Sequence, residues 1–358
     1  MQRCRIACTV CLGFALMFIS NAAWAQYRLS NLDSNQVGAA IHTDPLLVNA
    51  WGLVHAPGSP WWVSDNNSGW STLYGGNGTI VSALKVLIPT GGENGPGSPT
   101  GIVWSASTSN EFEVGGGPWP SVFLFAALDG TISGWAPTAS FNDAIVAPLN
   151  PAPTGAVFTG LAITNKPSGN FLYAADTANG AVDVYDGNFN LVTTATANFA
   201  AEISAAIPAG FTPFGIRDIN GEVYVTFASS TGGSGGFVEK FKEDGTPVTP
   251  GHPLLSGGPL NQPWGIAAAS RNFGQFSNTL LISNNTNSGT INAFDAVTGQ
   301  FVGIMKDKTG KAIVIDQLWG IDFGDGLKGG KNGGTNEMFF TAGPANNLAG
   351  TFGVIVPD

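Results

Sequence analysis

The chain has 358 residues, of which 43% are hydrophobic and 11% charged, and its formal net charge is −10. A chain this acidic suits neither nucleic acid nor anionic lipid as a partner, and one this long can bury a large core. Its three cysteines, Cys4, Cys8 and Cys11, crowd the N-terminal end, which excludes disulfides, thiol catalysis and cysteine-bound metals from everything after them.

Residues 1–25 read as a cleavable signal peptide. Arg3 and Arg5 give a basic start, Ile6–Ile19 is a short apolar core, and Ala23-Trp24-Ala25 is a small-x-small cleavage site before Gln26. The apolar stretch is too short to span a bilayer, and no later run approaches that length. Residues 26–358 are expected to form one domain, exported to the periplasm or the extracellular space.

The first β-type run, Tyr27–Leu32, stands alone. After it the chain settles into a repeat. A glycine opens an apolar run at Gly52 (WGLV), Gly101 (TGIVW), Gly160 (TGLAI), Gly215 (FGIRDI), Gly265 (WGIA) and Gly320 (WGIDF), at intervals of 49, 59, 55, 50 and 55 residues. A period near 50 marks a repeat architecture. A second run comes after each marker: WWVS, VFLFAA, FLYAAD, VYVTFA, LLISN and MFFTA. A third commonly opens on glycine and closes on an aromatic, as in GTISGW and GTINAF. The runs are short and rich in Val, Ile, Phe, Tyr and Thr, so they are strands. The turns between them, DNNSG, DTANG and NNTNSG, suit Asx turns and then a glycine of positive φ.

The pattern predicts an all-β fold, a six-bladed β-propeller of four-stranded antiparallel blades. The last repeat has three good runs (WGIDF, EMFF and TFGVIV), so Tyr27–Leu32 is expected to supply its outer strand and close the ring. Three connections are long. Pro89–Pro99 joins blades one and two. Ala136–Ala156 is expected to hide the fourth strand of blade two near Ala144–Ala147. Asn198–Pro213 carries FAAEISAAI, enough for one or two helical turns. The insert Gly324–Thr335 is glycine-rich and reads as a flexible hairpin loop.

The strings HTDPLLVNAWGL, GSPTGIV, DGTISGW, SGGPLNQPWGI, DQLWGIDFG and FFTAGP together resemble a family of exported bacterial β-propeller proteins, and the blade grammar is similar to NHL-type repeats. The resemblance implies the fold and export and carries over no catalytic residue. Some members of that family have a C-terminal sorting tail; the stretch up to Asp358 lacks one, so anchoring by that route is not expected.

In a propeller the segments before the marker glycines converge at one mouth of the central channel. Trp51, Thr100, Phe214, Trp264 and Trp319 directly precede markers, and Asn49, Thr212, Gln262 and Gln317 lie two residues earlier. Flat aromatic faces with neutral amides and hydroxyls suit an uncharged polar ligand such as a glycan. Equally, the aromatics can be wedges between blades and the polar groups can cap loop backbone. His42 and Asp44 border these segments; they form a metal or acid–base pair, or a turn start at Asp44-Pro45. Arg217 and Asp322 occupy equivalent positions two residues after their markers, as an ion pair across the channel or as ligand contacts. Asp65, Asp176 and Asn284 end the second run of their blades, and turn capping accounts for them; calcium is the alternative, without the alternating acidic spacing of a calcium loop.

No nucleophile elbow, phosphate loop or zinc spacing is present. The expected function is therefore non-enzymatic: a monomeric propeller binding a small polar ligand, a glycan or a protein at its channel mouth, with no cofactor. A metal-dependent hydrolase or lactonase, holding one divalent cation such as calcium, and a structural surface or matrix component are the alternatives.

Overall fold

The computed structural model describes residues 26–92, 95–107, 110–149, 153–166 and 169–358. The signal peptide expected over 1–25 lies outside the described residues.

Among the described residues, six sheets ring a central axis. Their inner strands are Ala50–Val54, Pro99–Trp104, Phe158–Ile163, Phe211–Ile219, Pro263–Ala268 and Leu318–Phe323. Each opens one blade, and the next strands pair outwards in antiparallel order. Strict alternation along the second strands builds the spaces between blades. In blade one, Trp61 packs toward Phe339 and Phe352 of blade six, while its neighbour Trp62 packs toward Phe123 and Trp135 of blade two. Successive side chains of a strand face opposite ways, so each blade feeds two interfaces. Among the described residues, one buried apolar cluster fills each of the six blade interfaces.

The ring closes as the sequence predicts. Tyr27–Ser34 pairs antiparallel with Thr351–Pro357, from Tyr27 opposite Pro357 to Ser34 opposite Thr351. His42–Thr43 then adds a short parallel ladder outside it. Tyr27 also reaches back to blade five: its hydroxyl donates to Phe273 O (2.8 Å) and accepts from Phe276 N (3.1 Å). The hidden strand of blade two is Ile145–Val146, inside the predicted window.

Three expectations need correction. Among the described residues, blade three has three strands, Phe158–Ile163, Leu172–Asp176 and Ala181–Tyr185, rather than four. An α-helix, Thr193–Ala206, comes after its third strand and runs longer than the one or two turns predicted. Ala195, Phe199 and Ile203 of the helix pack with Tyr173 and Phe241, closing the space between blades three and four that strand residues fill elsewhere. The glycine-rich insert of blade six is held, not loose. Lys331 N donates to Gly58 O (3.2 Å), Gly76 N to Lys331 O (2.6 Å) and Trp61 Nε1 to Asn332 O (2.9 Å). Asn332 is fully buried beneath blade one. Glycine permits this because, without side chains, the backbones can approach closely. Among the described residues, no helix is long and apolar enough to cross a membrane.

Candidate functional site: the axial channel

The marker glycines set the channel. A Cβ on Gly265 would come within 2.5 Å of Trp319 O in the next blade, and one on Gly215 would collide with Trp264 O. Gly52, Gly101 and Gly320 are likewise pressed on the following inner strand. Around these glycines the ladder to the second strand skips, between Ala50 and Leu53, Pro99 and Ile102, Pro213 and Ile216, Pro263 and Ile266, and Leu318 and Ile321. Such bulges turn the intervening residues out of the pleat. Hydroxyl groups then clasp blade to blade. Ser283 Oγ accepts from Gly265 N (2.8 Å) and donates to Trp319 O (2.6 Å). Thr341 Oγ1 accepts from Gly320 N and donates to Trp51 O, joining blade six to blade one. Thr100 Oγ1 donates to Phe158 O (2.7 Å).

The residues before the glycines therefore meet on the axis. Trp51, Trp264 and Trp319 are 6%, 9% and 3% exposed, with Phe214 packed against them. Trp51 stacks on Trp319 with ring centroids 3.8 Å apart, and Trp264 stands edge-on to Trp319 at 5.8 Å. Trp264 Nε1 donates to Thr159 O (2.9 Å) and Trp319 Nε1 to Asn49 Oδ1 (3.0 Å). Together these rings plug one end of the channel.

The neutral groups expected beside them make contacts within the protein. Asn49 Nδ2 donates to the Oδ1 atoms of Asn66 and Asn67 (3.2 Å each), Gln262 Nε2 to Gly233 O (2.5 Å) and Gln317 Nε2 to Asn287 Oδ1 (2.6 Å). Thr212 shares a hydrogen bond with Thr177 (2.9 Å). Asn49, Gln262 and Gln317 all adopt left-handed backbone, with φ of 53°, 50° and 51°. Side chains other than glycine, asparagine and aspartate seldom do so, and here the same conformation recurs at the same repeat position.

Open space lies beyond the plug. A cavity of about 780 Å³ runs from Trp264 along the far halves of the six inner strands. Its walls are aliphatic near the plug and charged near the opening. Arg217 Nη2 meets Asp322 Oδ2 at 2.6 Å, which realises the pairing across the channel that their positions suggested. Lys166 pairs with Glu243 at the opening. Burial, with a contribution from Glu243, pushes Asp218 up to about 6, against the pull of Gly221 N–H, Lys166 and Arg217. Burial also pushes Asp325 up, but the N–H of Gly58, the amide of Asn332, the N–H of Leu327 and His55 outweigh it and hold that carboxyl below its usual range. His55 sits beside it, 3.8 Å from Asp325 Oδ2 and 3.1 Å from Asn332 Nδ2.

His42 and Asp44 are elsewhere. His42 Nδ1 lies 3.8 Å from Asp33 Oδ1, while Asp44 accepts from Leu46 N (3.0 Å) and from the Tyr74 hydroxyl (3.0 Å). Asp44 lines a separate cleft of about 390 Å³ in blade one. The turn-capping reading holds at Asp176, which accepts from Val157, Ala178 and Asn179 N–H groups, and at Asn284, which accepts from Asn261 N. Among the described residues, no three His, Cys, Asp or Glu side chains are grouped to hold a metal ion. Lys166, Glu243, His55 and Asp325 were not singled out by the sequence as site residues. Their shared signal is position: each lies just past an inner strand, or in a turn that returns to that end of the channel.

No family model matches the chain. Uncharacterized viral proteins do. The chain is 31% identical to uncharacterized protein R648 of Acanthamoeba polyphaga mimivirus over 93% of its own length and 80% of the viral one. It is 28% identical to uncharacterized protein L690 of the same virus, over 96% and 90%. Among solved structures it resembles a glucose dehydrogenase (TM-score 0.52, 12% identity, 91% of this chain and 99% of that one). It also resembles virginiamycin B lyase from Staphylococcus aureus (TM-score 0.50, 11% identity, 92% and 99%). At such identity the likeness shows the fold alone. The chain belongs to the family that includes the viral protein R648.

Proposed function

We propose that this member of the viral protein's family is a non-enzymatic, exported binding propeller that holds a small ligand in its axial cavity. The observation that carries the reading is the cavity itself. It is a blind pocket of about 780 Å³ to which all six blades contribute, floored by Trp264 and charged at its opening. That is the size and mixed lining of small-molecule sites. The tryptophan plug forms the floor, and Asn49, which accepts from Trp319 Nε1, braces it from behind. Export rests on the basic, apolar and small-x-small pattern of residues 1–25 and on the resemblance to exported bacterial proteins with NHL-like repeats. In this reading the mature chain is one domain, 26–358.

The experiment is a thermal-shift screen of a metabolite and glycan panel, repeated on Val54→Trp. Val54 is half-buried, lines the cavity and packs on the cluster between blades one and two, so a tryptophan there obstructs the cavity at a cost of about 1–3 kcal/mol to that packing. Ligands that stabilise the wild type and not the variant support the cavity. Equal stabilisation of both places binding elsewhere. The hydrolase reading has one observation in its favour, a carboxyl raised to about 6 at Asp218 within a cavity. Turnover of any hit would move the assignment there.

A further inference from the structure

We infer that the ligand of the axial cavity is a neutral carbonyl compound, a ketone or an ester, whose oxygen accepts from Arg217 while its hydrocarbon body lies against the inner strands. The inference rests on the cavity reading and names its ligand class.

Arg217 has donors to spare. Among the described residues it makes two hydrogen bonds, Nη2 to Asp322 Oδ2 at 2.6 Å and Nη1 to Ile321 O at a long 3.5 Å. A guanidinium carries more N–H groups than these bonds use, fixed in a planar fork. The side chain lines the cavity and is 34% exposed, and none of its unpartnered nitrogens is buried. Its spare N–H groups are therefore open to a ligand, while Asp322 cancels its charge. Lys166, the other cation in the wall, is held at the opening by Glu243. Arg217 stands deeper: it directly follows Ile216 of the aliphatic wall.

The acceptors of the wall are not open in the same way. Asp322 Oδ1 accepts from Phe323 N (2.8 Å) and Oδ2 from Arg217. Asp325 accepts from Gly58 N (2.6 Å), Leu327 N (2.9 Å) and Asn332 Nδ2 (2.8 Å). One oxygen of Glu243 is taken by Lys166, and one of Asp218 by Gly221 N. The others, Asp218 Oδ2 and Glu243 Oε1, are closed to solvent. A ligand N–H or O–H would lose water and find no unpaired acceptor, which is costly. This disfavours an ammonium, an amide or a sugar. An anion meets a different obstacle, since four carboxylates face two cations in the wall of a protein of net charge −10. The uncharged ligand expected from the sequence is thereby narrowed to one with an acceptor and no donor. A carbonyl oxygen facing a charged donor fits. Leu53, Ile102, Leu161, Ile216, Ile266 and Ile321, one from each blade, suit the hydrocarbon body.

The test is calorimetric titration of the wild type with hexyl methyl ketone, n-octylamine and n-octanoate, equal in carbon number, at matched ionic strength. The ketone is expected to bind at least about tenfold more tightly than the amine or the carboxylate. Arg217→Met should weaken the ketone by about tenfold and raise the carbonyl stretching frequency of the bound ketone, because the hydrogen bond is gone. The double change Arg217→Met with Asp322→Leu, which leaves no unpaired charge, should do the same; it guards against a folding defect in the single variant, with melting temperature as the check. Amine or octanoate binding as tightly as the ketone overturns the carbonyl assignment and leaves the cavity standing, provided Val54→Trp abolishes that binding. Ketone affinity and carbonyl frequency unchanged in both arginine variants, or no ketone binding at all, also overturn it. Ketone binding that survives Val54→Trp overturns the cavity itself.

Discussion

Arg217 and Asp322 meet across the axis of the propeller, Nη2 to Oδ2 at 2.6 Å, although they belong to blades four and six and lie 105 residues apart. The inner strand of blade five passes between those blades with small residues, Ala267 and Ala268, at this level. The bridge thus spans a blade instead of joining neighbours.

Arg217 is 34% exposed and Asp322 14%, so solvent screens the pair and its net contribution should be modest. Arg217→Ala should destabilise by about 1–2 kcal/mol, because it strands Asp322 in a partly buried wall. The double change with Asp322→Ala should recover much of that loss. Urea unfolding of the four proteins in a double-mutant cycle reads the interaction directly. Strict additivity would show that the two side chains stand together without holding one another.

The marker glycines differ in how hard the next blade presses on them, and the difference is testable. A Cβ on Gly265 would meet Trp319 O and Ser283 Oγ at 2.5 Å each, whereas at Gly160 the nearest atoms are 3.2 Å away. Gly265→Ala should cost about 3 kcal/mol, at the upper end of overpacking, and Gly160→Ala less than about 1 kcal/mol. Equal losses would mean that the glycines serve chain flexibility rather than close approach.

Buried carboxyls make the fold acid-loving. Burial pushes Asp33 up to about 7, with Asp44 adding to it. It pushes Asp183 up to about 7, with Asp176 adding, and Glu239 up to about 8, with the Lys240 N–H opposing and Glu202 adding. In the unfolded chain these groups titrate near about 4. Between those values the folded state holds the protons, so stability falls as pH rises. Their contribution is fully present below about pH 4 and lost through about pH 7–8. The melting temperature should drop from pH 5 to pH 8, and Glu239→Gln should raise it at pH 8 and flatten the profile. A melting temperature that climbs over this range would show that these carboxyls ionise freely in the fold.

Tyr27→Phe removes one hydroxyl at the ring closure. It leaves Phe273 O and Phe276 N without their shared partner in a buried site. The expected cost is about 1–3 kcal/mol by urea unfolding. Since the ring itself stays filled, a loss near zero would show that strand pairing alone secures the closure.

Much of the fold was legible because its repeat is written in strand-length runs and glycines. The missing outer run of the last blade pointed to Tyr27–Leu32, and the ladder confirms that pairing and extends it to Ser34. The helix was half legible. FAAEISAAI is helical in composition, but its start is not marked: Val192 caps it without a side-chain hydrogen bond. The insert Gly324–Thr335 misled because glycine content signals flexibility in a linker and close approach in a packed loop, and sequence alone does not separate the two. At the site, equivalence of positions identified the axial tryptophans and the pairing of Arg217 with Asp322. It did not say which end of the channel the tryptophans would plug. It also said nothing of Lys166 and Glu243, which reach the opening from turns in different blades.

The axial cavity is tested most directly by melting temperature, measured for wild type and Val54→Trp with and without each compound of one ligand panel. A cavity site predicts hits that raise the wild-type melting temperature and leave Val54→Trp unmoved, each shift being read against the same protein without ligand. Hits that stabilise both proteins equally would contradict it and put the ligand outside the channel.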